Sequence, residues 1–139
     1  MAARFEFEVY TPYRLFFSDF VEAIILTLMD GEVAVYANHS SFASPVLPCL
    51  LKIKDKNGNW KTAFTAEGIL EVTNHKTVLV SDATEWPEEI DYERARKAME
   101  QAAGIMAGEK LNFEADTAAS TLRRAQFRIK AWELVHQKT

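Results

Sequence analysis

EEIDYERARKA, residues 88–98, is where the chain changes its period. Before it, apolar and polar residues alternate; after it, apolar residues recur every three or four positions. Upstream, from residue 4 to about 84, FEFEVYT sets Phe5, Phe7 and Val9 on one face and Glu6, Glu8 and Tyr10 on the other. VEAIILTL and VAVYA flank MDGE, a hairpin signal because Gly31 can take a positive φ. LPCLLKIK and WKTAFTAE flank DKNGNW, whose Asn57-Gly58 is the strongest hairpin signal in the chain. GILEVTN and KTVLVSDA meet at a short turn at Asn74-His75. Short strands at this spacing, with no helix between them, predict an antiparallel β-sandwich or flattened barrel.

Downstream, Pro87 cannot continue a ladder and biases Trp86 to an extended conformation. From Asp91 the period is helical. Ala95, Ala98, Ala102, Ile105 and Met106 form one stripe, and Ala115, Ala118, Leu122, Ala125, Ile129 and Trp132 a second. EKLNFEA lies between them, with Asn112 placed to cap the second helix and fold the chain back. The expected organisation is a β-sandwich over 1–86, then a linker and a close-packed antiparallel αα-hairpin over 87–139. That hairpin is weak by construction. Gly104 and Gly108 fall inside its first helix, each costing about 1 kcal/mol relative to Ala, and an alanine seam buries little apolar area. Such an element can undock or find other partners.

The formal charge of -4 and pI near 5.4 argue against a nucleic-acid binder that neutralises phosphates. Yet Arg123, Arg124, Arg128, Lys130 and Lys138 near the C-terminus face only Glu133, which suggests an acidic protein partner or a phosphate-bearing ligand, if not merely a solvated face. A single Cys49 excludes an internal disulfide and, set in VLPCLLKI, reads as a buried inert thiol. The opening MAARFEFEVYTP has no signal-peptide core, and no apolar run is long enough to span a bilayer. A protein that stays where it is made is expected.

No catalytic constellation is persuasive. His39, His75 and His136 are too scattered for a spaced metal motif, and adjacent His39 and Ser40 do not aim a base at a nucleophile. The chain reads as one that binds or regulates. Asp91 and Arg94 share a face at i, i+3, and Arg124 and Arg128 share one at i, i+4. In an antiparallel hairpin these four can converge, and one carboxylate with three guanidiniums could hold a phosphate-bearing ligand. The plainer reading is an N-cap and an inter-helix salt bridge.

These stretches together resemble the epsilon subunit of F-type ATP synthases. YTPYRLFFSDFVEAIIL is similar to that family's opening, DGEVAVYANHS to its DGE segment ending in Asn or Gly before His, and EGILEVTNHKTVLVSDATEWPEEID to its LEV stretch running into the linker. IDYERA matches an Ile/Leu-Asp-x-x-Arg-Ala signature, and RRAQFRIKAWE resembles the family's ending. The likeness covers essentially the whole chain; it departs at Glu67, where Gly is common, and at ANHSSF, which lacks a proline. The resemblance implies a sandwich of about ten strands followed by a helical hairpin. It implies a non-catalytic central-stalk subunit of a proton- or sodium-translocating ATP synthase, on the cytoplasmic face of a bacterial inner membrane. Its implied partners are the gamma subunit, the c-ring and the alpha and beta subunits, with no nucleic acid and membrane association only through the complex. The hairpin would extend to restrain ATP hydrolysis, its basic face meeting an acidic loop of beta. No cofactor is required, but ATP is implied as a regulatory ligand on Asp91, Arg94, Arg124 and Arg128, with Glu85 as a further contributor. Glu32 and His39 at the rotor-facing end of the sandwich, and Arg123, Arg128 and Lys130 on the second helix, are the implied partner contacts. A free-standing nucleotide-sensing or protein-binding module is the alternative.

Overall fold

A computed structural model describes residues 3–107 and 112–136, with side chains from residue 117 onward in the second helix. The chain divides into two compact units, Met1–Glu85 and Trp86–Thr139. The first holds nine strands: β1 (Phe5–Tyr10), β2 (Leu15–Leu28), β3 (Gly31–Tyr36), β4 (Phe42–Val46), β5 (Cys49–Asp55), β6 (Trp60–Thr65), β7 (Gly68–Val72), β8 (Thr77–Ser81) and β9 (Thr84–Glu85). The second holds a 3-10 turn (Pro87–Glu89), α1 (Tyr92–Ala107) and α2 (Asn112–His136). The fold class is the expected β plus α, with nine strands among the described residues where about ten were expected.

Both hairpin dipeptides act as their chemistry dictates. Gly31 has φ 124° and Gly58 φ 84°. The Asp55 carboxylate accepts the backbone N–H groups of Asn57 and Asn59, each at 2.9 Å. Those bonds, that of Asn59 foremost, hold its carboxyl below the ordinary aspartate value. The register of β5 on β6 is thereby fixed, from Cys49↔Thr65 to Lys54↔Trp60.

The long β2 organises the sheet. Its first half pairs with β1, its second half with β3 and β5, and Leu28 meets Val46 of β4. Two bulges interrupt it. Opposite Val9–Tyr10 the register jumps from Phe17 to Leu15, and opposite Lys54–Asp55 from Ala23 to Val21. Each jump inserts one residue and reverses which face the following side chains point to. Val21 is buried before the second bulge, and Ala23, Ile24 and Leu26 are buried after it.

The expectation of a wholly antiparallel sheet is corrected in one place: β1 lies parallel to β8, Phe7 beside Thr77 through Tyr10 beside Val80. This pairing closes a ring in which β1, β8, β7, β4 and β2 are each bonded to the next and β2 returns to β1. Around the core, Phe7, Val9, Val21, Ile24, Leu26, Val35, Leu51, Ile53, Phe64, Leu70 and Leu79 are fully buried. Cys49 is buried too, its sulfur accepting the Thr27 N–H at 3.4 Å. Three buried hydroxyls share one network, Thr84 Oγ1 lying 2.6 Å from Ser81 Oγ and 3.1 Å from Thr65 Oγ1.

In the helical unit Trp86 is extended, its N–H donates to Glu89 Oε1 at 2.9 Å, and Pro87 opens the 3-10 turn. The helices touch through alanine. Ala95 and Ala102 of α1 and Ala118, Ala125 and Ala131 of α2 are buried. Ile105 and Met106, expected on that stripe, are exposed, and Ala102 is the last buried residue of α1. Gly104 lies within α1; Gly108 and the side chain of Asn112 fall outside the described residues.

Gly68 faces Ser81 so closely that an added Cβ would overlap the Val80 carbonyl oxygen and stand 2.8 Å from Ser81 Cα. Both obstacles are backbone, so neither can swing aside. Gly68→Ala is expected to lower stability by about 2 kcal/mol, measured as a fall in the urea midpoint; an unchanged midpoint would contradict the close approach.

Candidate functional site

One outer face of the sandwich carries a feature that alternation did not announce. Leu15, Tyr10, Val80, Ile69 and Pro45 are successive register partners across β2, β1, β8, β7 and β4. All five are exposed, Val80 and Ile69 each by 53%. Neighbouring strands lie about 4.8 Å apart, so the row runs roughly 19 Å. Leu15 joins it because the bulge at Phe16 turns it outward. Pro45 is tolerated because β4 pairs along its length with β7 alone, meeting β2 at one residue. The adjacent row is mixed and carries two carboxylates: Ser18, Glu8, Val78 and Glu71 are register partners, and Lys76 Nζ donates to Glu8 Oε1 at 3.0 Å. The Lys76 ammonium holds the Glu8 carboxyl below its ordinary value. An apolar strip with an acidic border is a docking surface by composition, since solvated sheet faces normally present polar residues.

The sandwich residues singled out from sequence sit elsewhere. Glu32 is exposed on β3 opposite Thr27. His39 follows β3, its Nδ1 donating to the Ser40 carbonyl at 2.8 Å and its ring 5.1 Å from that of Phe42. That geometry serves the loop and leaves Ser40 without a general base aimed at it. Glu85 lies on β9, opposite Phe64.

In the helical unit Asp91 caps α1: its Oδ1 accepts the Arg94 N–H at 3.1 Å. The chain's first turn thus starts for the plain reason that sequence offered. Tyr92 packs on Trp132, ring centres 4.4 Å apart, and His136 stacks on Trp132 at 3.9 Å while its Nδ1 donates to the Trp132 carbonyl. The start of α1 therefore lies beside the end of α2, as an antiparallel hairpin requires. Asp91 and Arg94 share a shallow groove of about 420 Å³ with Glu93, Lys97, Ala98 and Gln101. Among the described residues its walls come from Asp91 and the first three turns of α1. Arg124 and Arg128 are half-buried on α2, one guanidinium nitrogen of Arg124 donating to Ser120 Oγ at 3.3 Å. Arg123 and Lys130 form a different stripe, their cationic groups 4.9 and 4.8 Å from the Phe127 ring centre. Arg128 thus keeps company with Arg124 rather than with the Arg123–Phe127–Lys130 stripe. Among the described residues no cluster of three or more metal-ligating side chains occurs, and no helix is long and apolar enough to cross a membrane.

Residues 4–87 match the family model described as ATP synthase, Delta/Epsilon chain, beta-sandwich domain. The ATP synthase epsilon chain of Caldicellulosiruptor bescii is 44% identical over 131 residues, covering 94% of this chain and 95% of that one. That of Caldanaerobacter subterraneus subsp. tengcongensis is 39% identical over 131 residues, 94% of each. In fold the chain is similar to one in the Euglena gracilis mitochondrial ATP synthase OSCP/F1/c-ring structure, with TM-score 0.70, 17% identity, and coverage of 98% of this chain and 81% of that one. The chain belongs to the ATP synthase epsilon chain family.

The cap can be separated from any ligand role of the same carboxylate. Asp91→Ala is expected to destabilise the hairpin by about 1 kcal/mol, whereas Asp91→Asn, an equally good cap, should leave it unchanged. Helical circular dichroism through a thermal scan checks this; equal losses in both variants would rule out a simple cap.

Proposed function

We propose that this member of the epsilon family is a non-catalytic subunit of the central stalk, joining the catalytic head of an F-type ATP synthase to its membrane c-ring. The observation that carries this reading is the exposed row Leu15–Tyr10–Val80–Ile69–Pro45. It is the surface on which the gamma subunit docks. Its acidic border at Glu8 and Glu71 favours a partner surface that is apolar with basic flanks. Glu32, exposed next to the β2–β3 turn, is the contact toward the c-ring. The protein then sits at the cytoplasmic face of a bacterial inner membrane only through that assembly.

The hairpin is the regulatory part. Its helices meet through methyl groups, each worth well under the about 1.5–3 kcal/mol of a larger buried aliphatic side chain, so the seam opens at modest expense. Opened, it carries the Arg123–Phe127–Lys130 stripe to an acidic surface of the beta subunit and restrains ATP hydrolysis. Closed, it offers Asp91 and Arg94 on one groove and Arg124 and Arg128 on the facing helix to ATP, which then favours the closed form. A nucleotide-sensing module acting alone would need only this second property.

Ile69→Lys or Val80→Asp, both at exposed positions, should leave stability within about 0.5 kcal/mol and weaken co-purification with gamma at least about tenfold. Retained gamma binding by both variants would refute the docking face. Removal of residues 91–139 should raise ATP hydrolysis of the assembled enzyme several-fold while assembly persists; unchanged hydrolysis would remove the regulatory reading. Calorimetry of the full chain with millimolar ATP should give heat that Arg124→Ala and Arg128→Ala abolish. ATP binding without a gamma interaction would favour the free-standing module instead.

A further inference from the structure

The same dipeptide occurs twice in the sandwich unit, and the fold brings the two copies to one cavity. Asn38-His39 follows β3, and Asn74-His75 turns β7 into β8; with Arg4 and Lys76 they line a space of about 360 Å³. Its apolar wall includes Phe20 and Tyr36, rings that are 52% and 59% exposed. Neither ring belongs to the apolar row described above.

The walls are held in place before any ligand arrives. Asn38 takes a left-handed φ of 66°, a conformation Asn tolerates better than most residues. The His39 ring is fixed by its Nδ1–H bond to the Ser40 carbonyl and by Phe42, leaving Nε2 for a ligand, as a donor to an anion when the ring is protonated. In the second turn the Thr73 hydroxyl accepts the His75 and Lys76 N–H groups, at 3.3 and 3.2 Å, and donates to the Lys76 carbonyl at 2.9 Å. Arg4 is anchored by one guanidinium nitrogen on the Lys56 carbonyl at 2.8 Å, with the rest of its fork to offer.

The donors suit one chemical class. Arg4, Lys76, two imidazoles and two carboxamides face a single lining carboxylate, Glu6, and Lys76 also serves Glu8. A phosphate has three oxygens to satisfy and a charge near two, which several donors of this kind match. The volume lies at the low end of small-molecule sites and is too small for a partner's helix or strand. Two exposed rings give a planar group a place to lie. We propose that this cavity binds a small phosphate monoester, its phosphate on Arg4, Lys76, His39 and His75 and its planar organic part against Tyr36 and Phe20. The site is separate from the hairpin residues assigned to ATP and involves no chemical step.

Imidazole NMR signals of the full chain, followed during titration with phenyl phosphate and with inorganic phosphate, test this. Phenyl phosphate should shift both His39 and His75 saturably, at least about tenfold more tightly than inorganic phosphate. The double variant His39→Asn/His75→Asn, followed through backbone signals of Thr73 and Thr77, should weaken binding at least about fivefold. Tyr36→Ala should remove the advantage of the aromatic ester. Linear shifts with either probe, or equal affinity for the two, would overturn the proposal. So would undiminished binding in a double variant with native-like spectra.

Discussion

One strand has to serve two layers, and the sandwich depends on how it does so. β2 is fourteen residues long and would, by strict alternation, keep a single face inward throughout. The bulges at Phe16 and Glu22 reverse its phase twice. Val21, before the second bulge, and Ala23, Ile24 and Leu26, after it, all reach the interior. The first half then pairs with β1, and the second half with β3, β5 and, at Leu28, β4, so the strand reaches both layers. Lys54 Nζ lies 3.6 Å from Glu22 Oε1, so the inserted residue has a partner at the bulge itself. The first bulge also matters outside: by turning Leu15 to solvent it completes the apolar row.

What could be read from the sequence follows from how local the cause is. Turns at Gly31, Asn57-Gly58 and Asn74-His75 are set by residues a few positions apart, and so is the cap at Asp91. The parallel pairing of β1 with β8 joins residues about seventy positions apart, and no local pattern records it. The apolar row was hidden for a related reason. Each member looks like an isolated apolar residue in its own strand, and only the register of four pairings makes them neighbours. Apolar residues at out-facing positions in several strands, such as Tyr10, Ile69 and Val80, were the available signal. In the hairpin, periodicity placed Ala95, Ala102, Ala118 and Ala125 correctly on the seam but carried it too far, to Ile105 and Met106. The groove at Asp91 and Arg94 was legible from an i, i+3 spacing; its separation from the Phe127 stripe required the helix faces themselves.

The two units differ in what holds them. The sandwich buries large aliphatic and aromatic side chains from both layers, so its interior is jigsaw-packed and resists rearrangement. Among the described residues, the hairpin has methyl groups in its seam and a larger contact in the Tyr92–Trp132–His136 ladder at one end. Much of its closure therefore rests on a few rings beside the capped first turn. A ligand or partner acting near Asp91 would address the end of the hairpin that this ring ladder joins.

The ring closed by β1 also has a mechanical meaning. In an open sheet, load applied to an outer strand is resisted on one side only, and strands can peel from a free edge one bond at a time. Within the ring β1, β8, β7, β4 and β2 each have a bonded neighbour on both sides, although β4 and β2 share only one register pair. The apolar row crosses all five. A lateral force at Val80 is passed at once to β1 and β7, and sliding one strand demands shear of two ladders together. Within the ring, the short β4–β2 junction is the weakest link, held by one register pair.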